Sequence, residues 1–255
     1  MKLHSKIYGD QGAHLIVIHG LFGMSDNWNT LGKQFAKYCK VHLVDLRNHG
    51  RSPHSLDFNY EVMSEDLYDY MEDHNIVKAN ILGHSLGGKV AMKYAFTYNE
   101  KVEKLLIADI SPRSYNTDFH ENLLKILYRL PLEDFNRREE IDEALSESFE
   151  DRGMRLFLMK NLYRNEEKKF AWRFNIDVLL EKVSNIQTAD FIQGNCSIPT
   201  HFLRAGNSNY ITEEDELIIQ KHFTNCSIST IEGVGHWLHA EKPDIFYNEV
   251  IKFIC

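Results

Sequence analysis

Asn80-Ile81-Leu82-Gly83-His84-Ser85-Leu86-Gly87-Gly88-Lys89-Val90-Ala91-Met92 is the stretch whose reading decides the fold. Apolar Ile81 and Leu82 lead in as a buried strand, and Leu86, Val90, Ala91 and Tyr94 follow at helical spacing. Between them stands a G-x-S-x-G turn centred on Ser85. A serine hydroxyl becomes a useful nucleophile when a sharp turn lifts it clear of the backbone. Glycines on both sides let strand and helix approach without Cβ clashes. The bare pattern arises by chance in chains of this length, so its weight comes from the strand, turn and helix around it.

Working outward, His14-Leu15-Ile16-Val17-Ile18 and Val41-His42-Leu43-Val44-Asp45 read as buried parallel strands. Trp28, Leu31, Phe35 and Tyr38 mark a helical face between them. Val62, Leu67, Tyr70 and Met71 mark another before the serine turn. Lys104 to Asp109 reads as the next strand, and strand signals return at Pro199 to Arg204 and Ser227 to Ile231. Thr212-Glu213-Glu214-Asp215 opens a helix between these two, and a closing helix runs from near Pro243 to Ile254. This alternation predicts a mostly parallel central sheet with helices on both faces, binding its ligands at the carboxyl ends of the strands. After Ser111-Pro112 the pattern turns helical with no convincing strand, through Leu123, Leu124, Leu127, Ile141, Leu145, Leu156 to Leu158, Val178 and Leu179. The expected organisation is a core over 1–111 and 198–255, with a helical cap inserted at 112–197.

Composition agrees with one such unit. The chain has 255 residues, 43% apolar and 12% aromatic, enough to bury a full core. Its net charge of -8, from 29 basic and 37 acidic residues without a basic run, argues against a nucleic-acid partner. No long apolar region follows Met1, so no signal peptide or membrane span is expected, and the reading is cytoplasmic. Cys39, Cys196, Cys226 and Cys255 lack metal-ligand spacing and read as reduced thiols without a role. With no metal cluster and no phosphate-binding glycine loop, neither a metal nor a cofactor is expected.

A serine nucleophile needs a base, and the base needs an orienting acid. His236, in Glu232-Gly233-Val234-Gly235-His236-Trp237 after the last strand, is the expected base; His239 reads as structural. The acid is less direct. In many enzymes of this architecture it follows the strand at His201 to Arg204, yet that loop reads Ala205-Gly206-Asn207-Ser208-Asn209-Tyr210-Ile211, without a carboxylate. Asn209 could hold an imidazole tautomer but offers no charge. Asp109, ending the strand after the serine helix, projects from the same sheet edge as Ser85 and is the expected acid, against a turn-capping role beside Ser111. Oxyanion donors are expected at the Leu86 N–H and, from His19-Gly20-Leu21-Phe22-Gly23, at the Leu21 N–H, with Phe22 next. His19 reads as a brace for that loop. Phe22, Trp172, Phe174 and Trp237 are the expected walls of an apolar substrate pocket, with Trp28 nearby.

The fragments His19 to Gly23, Asp45-Leu46-Arg47-Asn48-His49-Gly50-Arg51-Ser52-Pro53, Gly83 to Lys89, Trp172-Arg173-Phe174-Asn175 and Gly235 to Pro243 together resemble the YbfF-like serine esterases of the α/β-hydrolase superfamily. The resemblance spans nearly the whole chain. It implies an α/β-hydrolase fold with a helical cap, and a serine esterase or thioesterase acting on short- to medium-chain acyl esters, acyl-CoA included. It also implies an acid at Asp109. Asp45 and Arg47 are expected to form a buried pair behind the nucleophile. The implied partner is a small-molecule ester or thioester, and the chain is expected as a monomer or homodimer. The same triad also serves perhydrolysis and carbon–carbon hydrolysis, and a slow-turnover receptor is the remaining alternative.

Overall fold

The computed structural model describes residues 1–116 and 118–255. The chain opens with β1 (Ser5–Tyr8), β2 (His14–Ile18), α1 (Asn29–Phe35), β3 (Lys40–Val44) and α2 (Tyr60–Asp73). The serine turn joins β4 (Ala79–His84) to α3 (Leu86–Thr97), and β5 (Val102–Ala108) follows. A long insertion carries α4 (Asp118–Arg129), α5 (Arg138–Ser146), α6 (Arg152–Met159), β6 (Leu162–Arg164), β7 (Phe170–Trp172) and α7 (Ile176–Lys182). The chain then returns to the sheet through β8 (Thr200–Ala205), α8 (Glu213–His222), β9 (Cys226–Ile231), α9 (Leu238–Glu241) and α10 (Pro243–Ile254).

Seven strands form one sheet in the order β1-β3-β2-β4-β5-β8-β9, parallel except for β1, which runs antiparallel to β3. Its central strands are buried on both faces, which is why they read as unbroken apolar runs. Alternation along β2 sends Ile16 and Ile18 into the core shared with α2 and α3. Leu15 and Val17 go to the opposite core, with Phe35 of α1 and Phe246 of α10. Local chemistry sets the helix starts. The Asn59 side chain accepts from Val62 N at 3.0 Å ahead of α2, Thr212 and Asp215 form a capping box on α8, and Pro243 occupies the first turn of α10.

Two expectations need correction, and one strand goes beyond them. β1 was not expected from the sequence, because Ser-Lys-Ile-Tyr at a sheet edge is only half-buried and carries little apolar signal. The insertion holds a two-stranded antiparallel sheet, β6 with β7, where only helices were expected; strands of three residues are too short to show alternation. Arg47 pairs with Asp66 of α2, not with Asp45: its Nε lies 2.6 Å from Oδ2 and an η nitrogen 2.9 Å from Oδ1. This is the bidentate geometry that guanidinium favours. Asp45 instead accepts the backbone N–H groups of Ser25 and Arg51 at 2.5 and 2.9 Å, tying down two loops.

Candidate active site

Ser85 sits between β4 and α3 at φ 53°, ψ −119°, a left-sided conformation that a non-glycine residue adopts only when its surroundings impose it. They do so by close packing. A Cβ on Gly87 would fall 2.6 Å from the His19 carbonyl oxygen, and one on Gly83 would fall 2.7 Å from Gly88 Cα. The turn therefore presses against the end of β2, and Ser85 N donates to Ala108 O of β5 at 3.1 Å. The hydroxyl emerges at the carboxyl edge of the sheet over the N-terminus of α3, where helix dipoles favour developing negative charge.

Asp109 follows β5 with φ 48° and donates its N–H to Leu203 O of β8 at 2.8 Å. Its carboxylate is fully buried and surrounded by donors: Ala205 N at 3.1 Å on Oδ1, with Ser208 Oγ at 2.5 Å and His236 Nδ1 at 2.8 Å on Oδ2. A carboxylate beside Nδ1 assigns the proton to that nitrogen and leaves Nε2 as an acceptor. The His236 ring stacks on Tyr210 at 4.0 Å between centroids, and its backbone carbonyl accepts from His84 Nε2 at 2.8 Å. Ser85 and His236 line one cavity of about 230 Å³ without a hydrogen bond between them among the described residues. Such contacts commonly tighten only when substrate binds.

Leu21, Phe22 and Trp237 line this cavity, together with Phe119, His120 and Leu123 of α4 and Met154, Phe157 and Leu158 of α6. Leu86 lines a neighbouring, smaller cavity that also reaches Ser85 and Leu21. The loop after β2 turns inward with Phe22 at φ 61°, braced by His19, which donates through Nδ1 to Gly20 O at 2.8 Å and accepts at Nε2 from Leu46 N at 3.0 Å. Trp172 and Phe174 are not on the cavity wall. Phe174 meets Phe22 edge-on from behind at 5.3 Å, and Trp172 stacks on Phe174 at 5.1 Å, one layer further out. Among the described residues Asn209 offers its carbonyl, to Arg113 at 3.0 Å, and no side-chain hydrogen bond.

Ser208, Tyr210, His84 and His120 were not picked out from the sequence. The sign the sequence offers is the polar character of the loop at 205–211, which carries no carboxylate of its own but holds Ser208, the partner of one. Desolvation, the largest effect on each, pulls His84 well below the usual imidazole range, His239 down to about 3 and His120 to about 4. They are neutral groups in an apolar wall. Among the described residues no group of three His, Cys, Asp or Glu side chains is arranged to hold a metal ion, and no helix is long and apolar enough to cross a membrane.

A strained serine turn leading from a parallel strand into a helix, with a histidine and a buried aspartate at the same sheet edge, is the pattern of an α/β hydrolase. Residues 13–243 match the family model described as alpha/beta hydrolase fold, and the chain belongs to that family. Among curated relatives, Esterase YbfF of Escherichia coli is 31% identical over 260 residues, spanning 100% of this chain and 99% of the relative. The sn-1-specific diacylglycerol lipase ABHD11 of Mus musculus is 35% identical over 250 residues, 94% of this chain and 80% of that one. The solved structure of a marine microorganism esterase superposes with a TM-score of 0.96 at 37% identity, covering 99% of both chains.

Proposed function

We propose that this protein is a serine hydrolase that cleaves short- to medium-chain carboxylic esters or acyl thioesters, acyl-CoA included, through an acyl-enzyme. The observation that carries this reading is the 2.8 Å contact from Asp109 Oδ2 to His236 Nδ1, ending in a cavity that His236 shares with Ser85. Esterase- and lipase-named relatives support the same class. The insertion at 112–197 acts as a cap, since its α4 and α6 side chains supply much of the apolar wall.

In this mechanism Ser85 Oγ attacks the substrate carbonyl carbon while His236 Nε2 takes the hydroxyl proton. The N–H groups of Leu21 and Leu86 hold the oxyanion. Collapse of the tetrahedral intermediate breaks the bond to oxygen or sulfur, and His236 returns the proton to the departing alcohol or thiol. Water, deprotonated by His236, then attacks the acyl-enzyme; the second tetrahedral intermediate collapses by breaking the bond to Ser85 Oγ, which takes the proton back from His236 as the acid leaves. Asp109 keeps the proton on Nδ1 and balances the imidazolium.

A fluorophosphonate probe followed by mass spectrometry tests the reading. One phosphonyl adduct on Ser85, absent from a folded Ser85→Ala variant that has lost ester turnover, is the expected result. Labelling at another serine, or wild-type turnover by Ser85→Ala, would overturn it.

A further inference from the structure

A second cavity opens from the same serine. It measures about 40 Å³ against about 230 Å³ for the apolar one, and Ser85, Leu21 and Leu86 belong to its lining. Lys89 of α3 and Gln187 of the insertion also line it. Lys89 is 2% exposed, lies 5.2 Å from the Tyr115 ring centroid, and donates to Arg113 O, which occupies one of three ammonium hydrogens. Gln187 is 6% exposed; its Nε2 reaches His120 Nδ1 only at 3.4 Å, and its Oε1 has no partner among the described residues. Buried polar atoms left unpaired are costly and uncommon, and the lining of this one cavity includes both an unused donor and an unused acceptor. A hydroxyl is the smallest group that answers both, accepting from Lys89 and donating to Gln187. Burial also pulls the Lys89 ammonium down to about 7, which weakens its demand for an anionic partner.

Position decides which half of the substrate carries that hydroxyl. The departing group takes its proton from His236, and His236 lines the large cavity but is not among the residues of the small one. The small cavity, lined by both predicted oxyanion donors and not by His236, is therefore assigned to the acyl half beside the carbonyl, while the large cavity has room for the acyl chain and the departing group. The space is too small for a medium chain, so it suits a substituent near the carbonyl while the chain lies in the apolar cavity. We propose that Lys89 and Gln187 form a specificity subsite for a hydroxyl near the carbonyl of the acyl group, making 3-hydroxyacyl esters or thioesters preferred substrates. This rests on the hydrolase reading above.

The test compares butyryl with (R)- and (S)-3-hydroxybutyryl esters of one alcohol, in wild type, Lys89→Met and Gln187→Leu. Because the cavity lies to one side of the carbonyl, wild type is expected to favour one enantiomer over its mirror image and over butyryl, by about tenfold in kcat/KM for one hydrogen bond. Both preferences should fall towards unity in the two variants. Thermal melts and fluorophosphonate labelling of Ser85 check that each variant folds; if Lys89→Met does not, Gln187→Leu decides alone. A wild type indifferent to the hydroxyl, or ratios unmoved in the folded variants, overturns the subsite and leaves the hydrolase reading intact. Absence of turnover on every ester removes that reading instead. Glycerol monobutyrate against propyl butyrate completes the set: a preference there that the variants abolish, with the acyl ratios unmoved, would place the hydroxyl on the alcohol and overturn the acyl assignment.

Discussion

Asp109 has no exposure and faces three donors, so its carboxylate is held by position as well as by charge. An amide at this position would turn its NH₂ towards His236 and favour the imidazole tautomer that cannot accept the Ser85 proton. Asp109→Asn is therefore expected to lower kcat by about 10³–10⁴ while the fold survives. Ser208 Oγ donates to that carboxylate in a 2.5 Å charge-assisted hydrogen bond, and it accepts from Tyr210 N at 3.2 Å. Ser208→Ala removes that bond and is expected to cost about ten- to a hundredfold in kcat. The double variant should then be no slower than Asp109→Asn alone, since the serine has no carboxylate left to orient. Steady-state kinetics on the four proteins checks this, and multiplicative losses would mean that Ser208 has a separate role. The loop at 205–211 is legible in the sequence, because the strand before it and the helix cap after it are local signals. The sequence does not reveal that Ser208 turns towards an aspartate of another strand, because that contact crosses 99 positions of the chain.

At the level of elements, α6 turns Met154, Phe157 and Leu158 towards the cavity, while Leu156 is 48% exposed. This is the three- and four-residue spacing of one helical face. Phe157 also meets Trp237 at 5.6 Å, so together they close one side of the pocket. Phe157→Ala or Trp237→Ala should raise kcat/KM for longer relative to shorter acyl esters, by about 1–3 kcal/mol of discrimination. Trp172→Ala should leave that ratio unchanged and instead cost about 3–5 kcal/mol of stability, read from denaturant unfolding, because Trp172 fills the layer behind Phe174. If Trp172→Ala alters chain-length preference without destabilising, the layering is wrong. The sequence supplied the helices and the six main strands because apolar periodicity, glycine turns and caps are written within each segment. It misjudged Trp172 because periodicity identifies a buried face but not what that face is buried against. The β6–β7 pair that carries the tryptophan is too short to read.

Over the whole molecule, the two cores flanking the sheet hold imidazoles that the sequence presents only as a count. His42 of β3 hydrogen-bonds Tyr70 and His14 at 2.8 and 2.9 Å; His49 has one ring nitrogen on Arg47 O at 3.0 Å and the other without a partner among the described residues; His239 stacks on Trp28 at 4.2 Å. Desolvation, the leading cause for all three, lowers each to about 3. In the unfolded chain they return to about 6.5. Between these values the unfolded state binds more protons than the folded one, so stability rises with pH across the window and is lost as pH falls below about 6.5. Each such histidine contributes at most about 1.4 kcal/mol per pH unit within it. Urea unfolding is therefore expected to give a lower stability at pH 5 than at pH 7. His49→Asn keeps a donor near the Arg47 carbonyl but removes the titrating ring, and should flatten the slope by up to one proton's worth. Equal or greater stability at pH 5, or an unchanged slope in His49→Asn, would mean that these imidazoles take up protons without unfolding and that their burial is not what ties the fold to neutral pH.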